Sequence, residues 1–273
     1  MSQAHPSRPA GTRWNPGQYH RFTDHRLRPA LELLSRVPIT DASLVYDLGC
    51  GSGNVTRIIA ERFSDARVVG VDISNEMLAT AAEPPSRIEW TQADIAEWEP
   101  DRAPELIYSN AALHWVDDHA ALFPRLFGFL APGGFLAVQM PLSYSMPSHV
   151  LMRETLADGG VNGSRLGDEA LAAAVARKWV LDAGEYYDLL AREAESVDLW
   201  ETEYVQRLEG EDPVLEWVRA TGLRPILNGL RGTERERFVA VYRERLRLAY
   251  PQHAGGHTLY PFRRLFMVAT RRD

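Results

Sequence analysis

Residues 44–53 read Leu-Val-Tyr-Asp-Leu-Gly-Cys-Gly-Ser-Gly, an apolar strand that runs directly into a glycine loop. The pattern predicts a helix next, from Asn54 to about Phe63, with Val55, Ile58 and Ile59 on one face and unpaired N–H groups at its start. Gly49, Gly51 and Gly53 allow a sharp turn and let a ligand approach the backbone without a Cβ in the way. Such a junction can hold a dinucleotide, a phosphate or a methyl-donor nucleoside. Counted from Gly49, a dinucleotide fingerprint needs glycine at position 54, where this chain has Asn. A Walker loop needs Gly-Lys-Ser/Thr after its glycines, and the segment lacks it.

What stands instead is Asp47-x-Gly-x-Gly-x-Gly, with a carboxylate two residues before the first glycine. This resembles the first motif of the class I S-adenosylmethionine (SAM) dependent methyltransferases. SAM carries a sulfonium and an ammonium, so a carboxylate in the loop attracts it, whereas it would repel a phosphate.

Outward from the loop, strand and helix alternate as in a Rossmann-like, doubly wound α/β sheet. Arg67–Asp72 reads as a second strand, Arg87–Gln92 as a third, Glu105–Asn110 as a fourth and Phe135–Met140 as a fifth. Helices are expected after Ser74 and over Leu122–Leu130. Ligands of such sheets bind at the carboxyl ends of the strands, where Asp47, Asp72, Asp94 and Asn110 all fall. Asp72 lies 19 residues beyond Gly53, where a carboxylate can accept from both ribose hydroxyls. Asp94-Ile95 is placed for the adenine amino group and ring.

After Met140 the alternation stops. Helices are expected at His149–Ala157, Leu171–Val180, Asp212–Gly222 and after the capping-box pattern Thr233-x-x-Glu236, whose stripe is Phe238, Tyr242 and Leu246. Two further strands, Ser196–Leu208 and Leu265–Thr270, complete a mostly parallel sheet with an antiparallel last strand. The expected organisation is a disordered leader at 1–13, a SAM-binding core at 14–140 with N-terminal helices at Asn15-Pro16 and Arg28-Pro29, and a helical cap at 141–184. Core returns at 185–208, cap at 209–258 and the last strand at 259–273.

Hydrophobic residues are 45% of the 273 and charged residues 25%, as in an ordinary soluble globule. A net charge of −7 argues against a nucleic-acid surface, and an anionic substrate then needs a local cluster of arginines. The single cysteine, Cys50, excludes an intramolecular disulfide. No apolar run reaches the length of a membrane span or signal core, which makes the cytoplasm the expected compartment. No metal-ligand spacing or nucleophile triad stands out.

A closer resemblance rests on Trp14-Asn15-Pro16 with Tyr19, the Asp47–Asn54 loop, Asn110-Ala111-x-Leu113-His114-Trp115, Leu130–Gly134 with Val138–Pro141, His149–Glu154, Ala220–Pro225 and Arg264-Leu265-Phe266. Together these resemble the trans-aconitate methyltransferase family from about Trp14 to the C-terminus. The resemblance implies a monomethyl ester formed on a small tricarboxylate, with S-adenosylhomocysteine left behind. It implies cofactor contacts from Trp14, Tyr19, Asp47, Gly49, Gly51, Gly53, Asp72, Ile73, Asp94, Ile95, Asn110, His114 and Trp115. It also implies substrate contacts from Arg153, Arg224, His149, Gln139, Tyr144 and Arg264, with no catalytic residue and no metal. A carboxylate of pKa about 4 is already ionised near neutrality, so no base is required. Methylation of another carboxylate or of a phenol, and SAM binding without turnover, are the alternatives.

Overall fold

The first strand, β1 (Leu44–Leu48), is buried along its whole length, which suits a sequence without polar alternation in a strand covered on both faces. The computed structural model describes residues 27–160, 163–219 and 222–273. Around β1 lie β2 (Arg67–Asp72), β3 (Glu89–Gln92), β4 (Leu106–Asn110), β5 (Phe135–Pro141), β6 (Ala194–Leu208) and β7 (Thr258–Arg271). They form one seven-stranded sheet in the order β3-β2-β1-β4-β5-β7-β6. The pairs among β1 to β5 are parallel, while β7 runs antiparallel to both β5 and β6. The order reverses between β1 and β4, where a doubly wound sheet opens a crevice at its strand ends.

Successive residues of β1 serve opposite faces. Leu44, Tyr46 and Leu48 join a core with Phe123, Phe127, Tyr186 and Leu190, under α4 (His119–Gly128) and α7 (Ala183–Leu190). Val45 joins the opposite core with Leu33, Leu34 and Ile59, under α1 (Leu27–Arg36) and α2 (Asn54–Arg62). Helix α3 (Asn75–Ala82) starts at Ser74, whose side chain accepts from Met77 N, as its position predicts.

The inserted helices have their own core. It gathers Met152 and Leu156 of α5 (Pro147–Asp158), Val214 and Leu215 of α8 (Pro213–Arg219), Ile226 of α9 (Arg224–Gly229), and Phe238, Tyr242 and Leu246 of α10 (Gly232–Ala249). Ser148 ties α5 down: its backbone N–H donates to Tyr250 Oη at 3.0 Å, and its carbonyl accepts from Tyr242 Oη at 2.8 Å. Helix α6 (Glu169–Ala176) completes this layer.

Several expectations need correction. The third strand begins at Glu89, because Arg87 turns away to hydrogen-bond the carbonyls of Ala60 and Phe63 at the end of α2 and of Ala66 just before β2. Helix α10 starts at Gly232 with no side-chain cap, so Thr233 and Glu236 lie inside it. The capping box belongs to α7, between Asp182 and Glu185. That helix straddles the boundary expected at 184/185 and packs into the sheet core through Tyr186 and Leu190. The expected helix at Asn15-Pro16 and the leader at 1–13 lie outside the described residues. No helix among those described is long and apolar enough to cross a membrane.

Candidate active site

The glycine loop closes because Gly49 N and Cys50 N both donate to Val71 O, at 2.8 and 3.0 Å, which locks β1 to β2 at their ends. Gly49, Gly51 and Gly53 have φ of 76°, 54° and 78°, a region that L side chains enter only with strain. A Cβ at Gly49 would stand 2.1 Å from Ala112 Cβ, and one at Gly53 2.5 Å from the Trp90 ring. These two glycines are required by the protein's own packing. A Cβ at Gly51 would meet nothing within 4 Å, so its bare backbone faces open space. Burial pushes the Cys50 thiol far up, which makes it inert.

Acidic groups frame this opening. Asp47 is 2% exposed and accepts from Thr56 Oγ1 at 2.6 Å. Burial raises its pKa to about 7; the Thr56 hydrogen bond opposes the shift and the nearby Asp72 charge adds to it. The Asp72 carboxylate accepts from Gly51 N and from Ser74 N, each at 2.9 Å. Both oxygens are thus fixed and keep lone pairs for a diol. Ile73 is 63% exposed beside it, Asp94 is exposed and turned by Ala96 N, and Ile95 is buried in the core.

Across the crevice, β4 ends in Asn110 and a short 3₁₀ turn, Leu113–Trp115. Ala111, at φ 54°, makes the bend between them. Asn110 is paired in register with Gln139 of β5, and Arg264 of β7 stands opposite Pro141. Arg264 Nη1 donates to Gln139 Oε1 at 2.8 Å. Asn110 Oδ1, His114 Nδ1 and Gln139 Nε2 are buried with no hydrogen-bond partner among the described residues. Burial, with the Arg264 and His119 charges assisting, lowers the His114 pKa to about 3. Trp115 is 61% exposed, its ring tilted against His114.

The inserted layer adds His149, Arg153, Tyr144 and Arg224. Burial and the Arg153 charge lower the His149 pKa to about 4. Arg153, one turn further along α5, donates to Tyr144 O at 2.8 Å and stacks 4.0 Å above the Tyr144 ring. A Cβ at Gly222 would lie 2.7 Å from His149 Nε2, so the turn just before α9 abuts that histidine. Arg224 opens α9, exposed and without a hydrogen bond or ion pair among the described residues. Trp14 and Tyr19 lie outside the described residues.

Two features were not legible from spacing: the Thr56 hydrogen bond to Asp47, and Ala112 filling the space above Gly49. A helix residue nine positions from a strand aspartate carries no local signal of contact. Among the described residues no cluster of three or more His, Cys, Asp or Glu could hold a metal ion. A cleft of about 590 Å³ lies elsewhere, lined by residues including Asp212, Arg247 and Tyr250, and shares no residue with this site.

Residues 45–134 match a family described as a methyltransferase domain. The chain is 48% identical to trans-aconitate 2-methyltransferase of Methylobacterium radiotolerans, over 94% of this chain and 98% of that one. It is 47% identical to the protein of the same name from Azoarcus sp., over 94% and 99% of the two. Among solved structures, the fold is similar to Bacillus subtilis YcgJ, with TM-score 0.55 and 12% identity over 89% of this chain and 97% of that one. It is also similar to Haemonchus contortus phosphoethanolamine N-methyltransferase 2 in complex with S-adenosyl-L-methionine, with TM-score 0.51 and 17% identity over 90% and 53%. Identity of nearly one half over almost the whole of both chains, on a doubly wound sheet with this loop, has one consequence: the chain belongs to the trans-aconitate 2-methyltransferase family of SAM-dependent methyltransferases.

Proposed function

We propose that the protein transfers a methyl group from SAM to a carboxylate oxygen of trans-aconitate, in the cytoplasm, giving a monomethyl ester and S-adenosylhomocysteine. The residues suit the cofactor: open backbone at Gly51, a fixed acceptor at Asp72 for a ribose diol, and the unpaired Asn110 Oδ1 for a donor such as an ammonium. When bound, SAM supplies an electrophilic methyl group. The chain's own residues then need to bind, orient and exclude water.

The observation that carries the carboxylate reading is the state of the histidines. His114 and His149 have pKa values lowered to about 3 and about 4, so neither is basic enough to take a proton from a phenol or an amine near neutrality. Asp47, raised to about 7, is tied to Thr56 beneath the loop. An acceptor that arrives ionised needs no base. Positioning and dehydration of its nucleophilic oxygen then supply the rate enhancement.

The cap arginines serve that positioning. Arg153 is held by Tyr144 from one side, and Arg224 begins a helix two residues after Gly222, which abuts His149. We assign these two as a clamp on spare carboxylates, where guanidinium forks grip best. Incubation with labelled SAM and a panel of di- and tricarboxylates, phenols and amines tests this. Label is expected in an extractable methyl ester of trans-aconitate; transfer to a phenol or amine alone would overturn the reading.

A further inference from the structure

We infer that His119 and Tyr186 are positioning residues, which hold the turn carrying His114 and Trp115 through a hydrogen bond to Leu113; this rests on that turn lining the site of the function proposed above. The turn needs a hold at both ends. It runs from Ala111 to Asp118, the two residues other than glycine with positive φ among those described, at 54° and 50°. Such residues stay in that region only where their surroundings over-determine it. Ala111 N–H donates to Gln139 O at 2.9 Å, which fixes the first end to β5. At the other end, His119 opens α4 and its Nε2 lies 2.9 Å from Leu113 O.

The partners dictate where the protons sit. A carbonyl oxygen only accepts, so His119 Nε2 carries the ring proton. In the neutral ring Nδ1 is then an acceptor, and the hydroxyl of Tyr186, 2.6 Å away, donates to it. Tyr186 Oη in turn accepts from Leu181 N at 3.1 Å. Each donor along Leu181, Tyr186, His119 and Leu113 therefore meets one acceptor, and the direction of the chain is fixed. His119 is 4% exposed and Tyr186 fully buried. Burial lowers the His119 pKa, which keeps the ring neutral. Phe123 packs on both rings, with centroids 5.3 Å from His119 and 4.6 Å from Tyr186. Packing alone would need only the rings, whereas the Nε2 proton serves Leu113. Ala112, inside the same turn, fills the space above Gly49. A turn released at Leu113 thus disturbs the glycine loop as well as His114 and Trp115, and the loss falls on SAM binding.

His119→Gln and His119→Asn test this. Glutamine keeps an amide N–H donor at about the reach of Nε2, while asparagine keeps only an acceptor at about the reach of Nδ1. Both lose the ring from its packing with Phe123 and Tyr186, so both should melt lower than the wild type by similar amounts. SAM calorimetry below their melting range should separate them. His119→Gln is expected within about threefold of wild-type affinity, and His119→Asn should lose at least about tenfold. Equal losses in the two, or wild-type affinity in His119→Asn, would mark the histidine as packing and overturn the inference. The wild type gives a second readout that needs no folded variant, the nitrogen-15 NMR spectrum of its histidine rings near pH 7. His119 should be a neutral ring protonated on Nε2; a ring protonated on Nδ1, or a cationic one, would overturn the inference. A wild type that binds SAM yet never methylates trans-aconitate would sink the proposed reaction, while the split in SAM affinity would still support the positioning role.

Discussion

Alanine at Gly51 and at Gly49 should separate what the loop does for the cofactor from what it does for the fold. Both positions have positive φ, 54° and 76°, so each alanine incurs about 1–2 kcal/mol of backbone strain. At Gly49 the new Cβ would also stand 2.1 Å from Ala112 Cβ, far inside the usual carbon contact of about 3.5–4.0 Å. Overpacking of that kind adds about 1–3 kcal/mol. Gly49→Ala should therefore lose about 2–5 kcal/mol, a large share of a typical domain's stability. Gly51→Ala meets no protein atom within 4 Å and should lose only the strain, about 1–2 kcal/mol. Its methyl group projects where SAM must approach, so SAM affinity should fall at least tenfold, about 1.4 kcal/mol. Thermal melting and calorimetry with SAM and S-adenosylhomocysteine measure both effects. If Gly51→Ala bound SAM within twofold of wild type, the cofactor would not lie against that backbone.

Asp72→Ala should weaken SAM binding by about 1.5–3 kcal/mol in calorimetry and lower the melting point, because Gly51 N and Ser74 N lose their acceptor. Arg153→Lys and Arg224→Lys keep charge but lose the fork, and each should lower kcat/KM for trans-aconitate by about 10- to 100-fold. SAM affinity should stay within about twofold in both; full activity would return the arginines to surface solvation. A rate profile should be flat from about pH 6 to 9 and fall only as the substrate's carboxylates protonate. Stability has its own sign: His114 and His149 have folded pKa values below the unfolded value of about 6.5. Their contribution is complete above about pH 6.5 and is lost as pH falls through about 4 and about 3, which melting curves at stepped pH would show.

Elements whose reasons are local were legible in the chain. The glycine loop, the strand-end acids and the Ser74 cap each announce themselves within a few residues, and the sheet follows from their alternation. The antiparallel last strand was also expected, and β7 does pair antiparallel with both β5 and β6. The short helix at Arg224–Gly229 was not, since Leu223 and Ile226 give too few turns for a period. The Thr233 pattern misled because a capping motif competes with tertiary docking: α10, with its Phe238, Tyr242 and Leu246 stripe, has Arg231 at its N-cap, two residues earlier. In the candidate site, the residue types could be chosen from sequence but their mutual relations could not. That Arg264 finds Gln139 rather than a carboxylate, and that both histidine rings are largely desolvated, depends on strands and helices far apart in the chain.

The most direct test of methyl transfer to a free carboxylate is mass spectrometry of the product formed from trans-aconitate and SAM bearing a trideuterated methyl group. The predicted product carries one trideuteromethyl group and returns to trans-aconitate on mild alkaline hydrolysis, as an ester must. Absence of labelled acid, or a label that survives hydrolysis, would contradict it.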